Sequence, residues 1–547
     1  MSSSSESEDA QACGQCEEGA PVEHEAYESW LQCDGCSEWV HGVCAGLAAD
    51  EGEAVERFHC RQCVEQRGDS TGHDGELFNQ FRRRLAAHEF LDDEFERMTD
   101  DVTEEWLRER DSNDPFIVNS TNDPIAAGAA EIANIVGHDT RAAVTDVLAQ
   151  TQAGEWTLDT WTEYAGARPR RRVLRAELEV SQDTLGPQVQ RPGVADAVDL
   201  MERYWPAAKR SDGRFPGARV EWHLDADGAY SDFRMAGGAA WTYWQVVAGA
   251  YVFYLVPPTA ANVRRFEAWR RAPDRGLRLF AADVRQCFAV RVDAGHTLFV
   301  PPGWIHATSS TGDSLMLRGS FLALQSLNAH VGAFRLEERL GDPPERRFPK
   351  FAKLSRYMAE LLARKWAKMD SRAKARWLLP ELEGVFVLAI FAEALLAAHP
   401  PLRAHAARLR LLVADEASTR MTPDEWVNRE QQLREGAHFR WIRPGMPQGS
   451  QLLAARPRRV CPSRHRRRRP EGESSPDAAS SGDESSSDGA SIQSGSDSDD
   501  SDASDASSSS TGYADSRRPR KRSLAPPNAA RPRNVRQRIA DRLKIKL

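Results

Sequence analysis

Beyond residue 63 the chain has almost no cysteine: seven of its nine cysteines precede that point, and only Cys287 and Cys461 follow. Such clustering argues against a disulfide framework and for a metal site in a reducing compartment. The opening Met1-Ser2-Ser3-Ser4-Ser5-Glu6 lacks both a basic and an apolar region, so no secretory signal is expected. No apolar run is long enough for a bilayer. The longest, residues 385–399, contains Glu393 and reads as a buried helix. Residues 471–515 hold twelve acidic residues and no Lys or Arg. What remains is 547 residues of net charge -9, enough on length for about three or four domains and a large core.

The early cysteines stand at metal-ligand spacing: Cys13-x2-Cys16, Cys33-x2-Cys36, His41-x2-Cys44 and Cys60-x2-Cys63. Eight N/S ligands fill two tetrahedral zinc sites, and closed sites of this kind supply folding energy to a piece too small for its own core. Four cysteines, one histidine, then three cysteines is an order that resembles the PHD finger with two cross-braced zinc ions. PHD fingers of this type read histone tails, and a subset hold trimethyl-lysine in an aromatic cage. By that resemblance Trp39 and Trp30 are cage walls and Tyr27 is a further candidate; the alternative is that the tryptophans pack the small core. Some members carry a Tyr before the first cysteine, where this chain has Ala12, which would leave the cage incomplete.

Residues 65–75 are polar and contain glycine, which predicts a hinge. From 76 to about 110 apolar residues fall at helical spacing, clearest in Phe95, Met98, Val102 and Trp106. Short β-like runs follow at 116–118, 172–174, 219–222, 251–256, 287–290, 297–300 and 314–317. Many short strands with intervening helices predict a double-stranded jelly roll with helical decorations. The most distinctive stretch runs from Gly295 through Thr297-Leu298-Phe299-Val300 and the turn Pro301-Pro302-Gly303 to Trp304-Ile305-His306. There a neutral imidazole can face a barrel interior as a metal ligand; the alternative is a satisfied core histidine.

With Thr157-Leu158-x3-Thr162-Glu163-Tyr164, Tyr204-Trp205-Pro206, Tyr230-Ser231-Asp232-Phe233, Gly249-x3-Phe253-Tyr254-Leu255 and Glu267-x-Trp269, this stretch resembles the JmjC domain of the PHD-plus-JmjC histone lysine demethylases. The resemblance implies a double-stranded β-helix fold, Fe(II) held by His-x-Asp/Glu and a distal His, and 2-oxoglutarate as cosubstrate. The distal His maps to His306. Where the His-x-Asp belongs, the chain reads Arg234-Met235-Ala236. The Lys that pairs with 2-oxoglutarate maps to Tyr251, and further cosubstrate positions map to Ser231, Trp244 and Ser320. Arginine only donates and stays charged, alanine offers no donor atom, and a phenol is a weaker partner than an ammonium. One alternative is left, His223-Leu224-Asp225, whose outer side chains would share a strand face and complete a triad with His306. No residue is assigned a catalytic role.

Residues 336–440 carry helical spacing, as at Met358, Leu361, Leu362 and Trp366, and read as a bundle packed on the barrel. Beyond 441 the composition predicts a disordered charged tail. Residues 456–469 hold eight Arg, the acidic block follows, and 516–547 hold twelve Lys or Arg. Arg517-Arg518-Pro519-Arg520-Lys521-Arg522 fits a nuclear-localisation signal, the basic blocks suit DNA phosphates, and Ser496, Ser498 and Ser501 precede acidic residues as kinase sites do. The expected organisation is thus 1–10 disordered, 11–66 PHD finger, 67–80 linker, 81–335 JmjC domain, 336–440 helical domain and 441–547 tail. The expected protein is a nuclear chromatin factor that binds two zinc ions and a histone H3 tail or nucleosome. Its barrel is expected to be impaired; the alternative is an active demethylase with an atypical iron site.

Overall fold

Leu31 and Val40 are apolar residues on two short strands, β1 (Trp30–Gln32) and β2 (Trp39–His41), that pair antiparallel with Trp30 opposite His41 and Gln32 opposite Trp39. Because strand side chains alternate, Leu31 and Val40 turn to a core with Cys33, Leu47, Phe58, Cys60 and Phe78, while Trp30, Gln32, Trp39 and His41 share the opposite face. The structure, a computed structural model, describes residues 13–16, 29–99, 102–110, 112–119, 129–181, 191–210, 215–216, 219–436 and 439. Ala12, Tyr27, the expected disorder over 1–10 and the charged tail lie outside the described residues.

The segment read as a hinge is tied at both ends. β3 (Val55–Arg57) of the finger pairs with β4 (Thr71–Gly72). Gly68 ends the helix Val64–Arg67 at φ 93, and a Cβ there would lie 2.6 Å from the Arg171 carbonyl oxygen. Next to it the Asp69 N–H donates to that same carbonyl at 2.7 Å, and Asp69 Oδ2 accepts the Val173 N–H at 2.7 Å. Glycine here serves a close approach of two backbones, not flexibility. Arg84, on the helix Gln80–Ala87, grips Glu51 of the finger through Nε and Nη2 at 2.7 and 2.5 Å.

The helical reading of 76–110 is corrected in its middle. Asn79 caps the first helix by accepting the Arg82 N–H, and Thr103 caps a second, Glu104–Glu109. Between them lie β5 (Leu91–Asp92) and β6 (Glu96–Met98). Met98 pairs with Val118 of β7 (Phe116–Asn119), and Phe95 packs into the barrel against Phe288 and Trp304 at ring separations of 5.3 and 5.8 Å. Sheet pairing and barrel packing override the local spacing.

Three strands then extend the sheet, β8 (Arg141–Asp146), β9 (Thr151–Thr157) and β10 (Leu174–Ser181). Eight more form the jelly roll: β11 (Arg219–Asp225), β12 (Tyr230–Met235), β13 (Trp241–Ala248), β14 (Ala250–Val256), β15 (Phe288–Asp293), β16 (His296–Val300), β17 (Ile305–Ser310) and β18 (Ser314–Phe321). A nine-stranded sheet runs β6-β7-β16-β13-β18-β11-β10-β8-β9 and a five-stranded sheet β12-β17-β14-β15-β5. The chain crosses from sheet to sheet, so the two close over one interior, and the jelly roll expected from the short runs is the core of the protein. β14 is buried on both faces, which explains its unbroken apolar run. Tyr251, Phe253 and Leu255 point inward, while Val252, Tyr254 and Val256 meet the helix Ala260–Arg271.

Helices follow the barrel: Leu327–Leu340, Phe351–Trp366, Leu379–Leu395, Pro400–Ser418 and Pro423–Glu435. Leu382, Val385, Phe386, Val387, Leu388 and Ala389 are all buried, so the longest apolar run is a helix enclosed by its neighbours. No described helix is long and apolar enough to cross a membrane.

The finger–barrel joint yields a pH prediction. Burial, then the facing Asp146 carboxylate, pushes the Asp69 carboxyl well above its ordinary value. A raised folded value means that Asp69 adds stability below its unfolded value of about 3.9 and loses it as pH climbs through the folded one. Asp69→Asn keeps an acceptor for Val173, so its urea midpoint relative to the unaltered protein should rise steadily from pH 5 to pH 8. A constant difference would show that Asp69 does not titrate there.

Candidate functional site

Eight side chains of the finger form two clusters, Cys13/Cys16/His41/Cys44 and Cys33/Cys36/Cys60/Cys63, with ligand atoms of each within 4.8 Å of one another. The first and third ligand pairs share one cluster and the second and fourth share the other, the cross-braced arrangement. Cys16 Sγ lies 3.7 Å from Cys44 Sγ and 3.2 Å from His41 Nδ1. Tetrahedral zinc with bonds of about 2.3 Å sets sulfurs roughly 3.8 Å apart, so the donor set fits zinc. At Cys33 burial opposes the thiolate, but backbone N–H groups of Cys60, Cys36 and Gly35 outweigh it and bring the thiol down to about 7. The His41 ring also packs at a tilt against Trp30, 3.9 Å between centroids, so Trp30 supports a ligand. Trp39 lies diagonally across the strand pair on the same half-buried face.

Inside the barrel, β12 and β17 pair with Arg234 directly opposite His306 and Ser231 opposite Thr308. Outward residues of β10 and β11 (Leu174, Ala176, Leu178, Val220, Trp222, Leu224) pack under helices, so Arg175, Glu177, Glu221, His223 and Asp225 turn inward. They answer one another. Arg175 Nε and Nη2 donate to the two Asp225 oxygens at 2.5 and 3.1 Å, and its Nη1 donates to Ser231 Oγ. Arg318 Nη1 meets Glu221 Oε2 at 2.6 Å. His223 lies between Glu177 and Glu221, 3.5 Å from each.

Trp244 occupies the middle of this group. Its ring stands edge-on to His306 at 5.5 Å and 6.1 Å from the His223 ring, with the Arg318 and Arg234 guanidinium carbons 5.0 and 6.0 Å from its centroid. Burial, then the charges of Arg234 and Arg318, holds His306 well below its ordinary value and therefore neutral. Burial and Arg318 lower Arg234 to about 10, which leaves it charged at neutral pH. Tyr251 is fully buried beside Asp225, and burial followed by that carboxylate raises its phenol. Ala236 is buried just past β12. Ser320 pairs with Thr242 and, like Ser231, lines the cleft of about 900 Å³ that opens from this interior.

His223 and Asp225 do share an inward face, and Asp225 gives both oxygens to Arg175. Among the described residues only the finger clusters set three or more candidate ligand atoms within 4.8 Å of one another. Sequence reasoning missed Arg175, Glu177, Glu221 and Arg318. Its available signal was charge at every second position of Arg175-x-Glu177-x-Glu179 within an otherwise apolar strand.

A finger with two clusters that fit zinc, followed by a jelly roll, is the order that the resemblance to PHD–JmjC proteins implies, and the chain is similar to known proteins that bear on both parts. The PHD-finger family model matches residues 11–63. The chain is similar to "Lysine-specific demethylase phf2" of Danio rerio, 27% identical over 340 residues, covering 57% of this chain and 32% of the relative. It is 27% identical over 381 residues to "JmjC domain-containing histone demethylation protein 1" of Yarrowia lipolytica, covering 61% of this chain and 74% of the relative. To human "Lysine-specific demethylase 7A" it is 26% identical over 363 residues, covering 61% of this chain and 38% of the relative. The chain spans about a third of the length of the Danio rerio and human relatives.

Of the positions that the resemblance assigns to iron, His306 keeps a neutral imidazole, Arg234 directly across the strand pair only donates, and Ala236 offers no donor atom. The Arg175–Asp225 pair supplies the test of this interior. Asp225→Asn leaves a buried guanidinium without its counter-charge and should cost about 3–5 kcal/mol. Arg175→Met with Asp225→Leu should recover most of that loss, read as urea midpoints of the three proteins.

Proposed function

We propose that the chain is a nuclear, chromatin-bound reader of a methylated histone tail whose JmjC barrel has lost iron- and 2-oxoglutarate-dependent turnover. The observation that carries this reading is the register of β12 on β17, which sets Arg234 opposite the neutral His306. A guanidinium at that place repels a divalent cation, and Asp225 is already held by Arg175. Tyr251, at the mapped lysine position, offers no positive charge to a dicarboxylate. The relatives' names speak of histone and lysine demethylation, which supports a histone tail as ligand. Trp30 and Trp39, on one face beside a zinc cluster, suit a methyl-ammonium cage. The basic blocks of the tail suit import into the nucleus and contact with DNA.

The test combines metal analysis, 2-oxoglutarate turnover and peptide binding on the full chain. Two zinc ions per chain, no iron after loading with Fe(II), and no succinate with methylated histone peptides are expected. Trp39→Ala should weaken methylated-peptide binding about tenfold by removing a cage wall. Stoichiometric iron, with succinate release abolished by His306→Ala, would overturn the proposal in favour of an active demethylase with an atypical site; His223→Ala would then show whether the upstream pair takes part.

A further inference from the structure

Residues 346–376 hold eleven Lys and Arg against two acidic residues, in a chain whose overall charge is negative. The helix Phe351–Trp366 organises them. Leu354, Met358, Leu362 and Trp366 are buried on one side. Lys353, Arg356, Glu360 and Arg364 follow at spacings of three and four on the other, and Lys368 continues the row just past the helix end. At 1.5 Å per residue the row is about 22 Å long.

Little in the fold neutralises it. Arg364 pairs with Glu360 at 2.7 Å, an exposed contact that holds the guanidinium only weakly. The other acid, Asp370, is used as a helix cap, accepting the Ala373 N–H. Arg356 and Lys368 are exposed and make no ion pair among the described residues. At the flank of the row, lysines stand over aromatic rings that fix their positions. Lys353 Nζ is 4.9 Å from the Trp205 centroid, Lys209 Nζ is 4.9 Å from that of Tyr357, and Lys365 Nζ is 5.7 Å from that of Tyr204.

We propose that this basic helix face is a second docking surface, separate from the finger and the cleft, whose partner is the phosphate backbone of duplex DNA. Charge density selects the partner. A duplex carries one negative charge per about 1.7 Å of axis. The acidic block at 471–515, the chain's own polyanion, has twelve charges in forty-five residues. In extended chain that is one per roughly 13 Å, too sparse to answer the row. Contacts to phosphate carry no base preference, so binding should be independent of sequence and steeply salt-dependent.

The experiment is fluorescence anisotropy of a labelled 30-base-pair duplex of arbitrary sequence with the full chain, between 50 and 200 mM salt. Arg356→Gln/Arg364→Gln/Lys368→Gln should weaken binding about tenfold or more and make the log–log salt slope shallower by about 2 to 3, one unit for each phosphate that is no longer neutralised. Arg356→Lys/Arg364→Lys keeps the charges and should bind as the unaltered protein does. Neutralising Arg517, Arg518, Arg520, Lys521 and Arg522 isolates the tail's contribution, and the effect of the triple substitution should persist in that background. Unchanged affinity and slope in the triple variant would overturn the proposal, whether the tail alone holds the DNA or the acidic block covers the helix. All three positions are exposed, so a folding defect is not expected, and thermal melting of each variant checks it.

Discussion

A buried ion pair within one sheet, hydrogen-bonded across the interior to the other, fixes the chemistry of the barrel interior. Arg175 stands on β10 and Asp225 on β11, while Ser231, which accepts a third N–H, stands on β12 of the facing sheet. Charges buried this deeply persist only when each is answered, and here two carboxylate oxygens and one hydroxyl answer one guanidinium. The consequence spreads outward. With Asp225 engaged by Arg175 and Glu221 by Arg318, Arg234 makes no ion pair among the described residues, and burial, then the charges of Arg234 and Arg318, keeps His306 neutral. Glu177 and Glu221 then balance the arginines from the β10–β11 side. The interior is neutralised side chain by side chain.

The finger was legible in the sequence because its determinants are covalently close. Eight ligands in four closely spaced pairs mark two zinc sites, and the clusters form as the cross-braced pairs that the PHD resemblance implies. The jelly roll was legible through runs of β-branched and aromatic residues such as 251–256 and 297–300. Of the strands that were missed, β8 and β9 are built largely of Ala, Thr, Gln and Gly and are strands because they have neighbours to pair with, whereas β13 carries the Trp, Tyr and Val of an ordinary strand. The interior polar network was least legible. Arg175 and Asp225 are fifty positions apart, and nothing local tells an inward arginine from an outward one until the outer face is seen to be covered by helices.

The misread hinge has the same origin. Glycine and polar residues at 65–75 have the composition of a flexible connector, yet Gly68 is there because the Arg171 carbonyl approaches where a Cβ would stand. Asp69 is polar because two backbone segments meet at its side chain and main chain. Together with the Arg84–Glu51 pair, these contacts tie the finger to the barrel at several points. A finger attached in this way presents its tryptophan face at a set orientation to the barrel, where a free linker would let it search.

Charge is also placed against the preferences of the local helix. The helix Pro423–Glu435 balances its arginines, pairing Arg434 with Glu430 within the helix and Arg429 with Glu383 of a neighbour, each at 2.6 Å. The helix Phe351–Trp366 forms one such pair and otherwise repeats positive charge along a single face. Like charges a turn apart destabilise an isolated helix by about 0.2–0.5 kcal/mol per pair, whereas burial of Leu354, Met358, Leu362 and Trp366 contributes about 1.5–3 kcal/mol each. The apolar side therefore stabilises the helix regardless of what its outer face carries. Folding does not require the basic row, and folding alone would favour mixed charge there. The reason for the row must be sought in what it meets outside the chain.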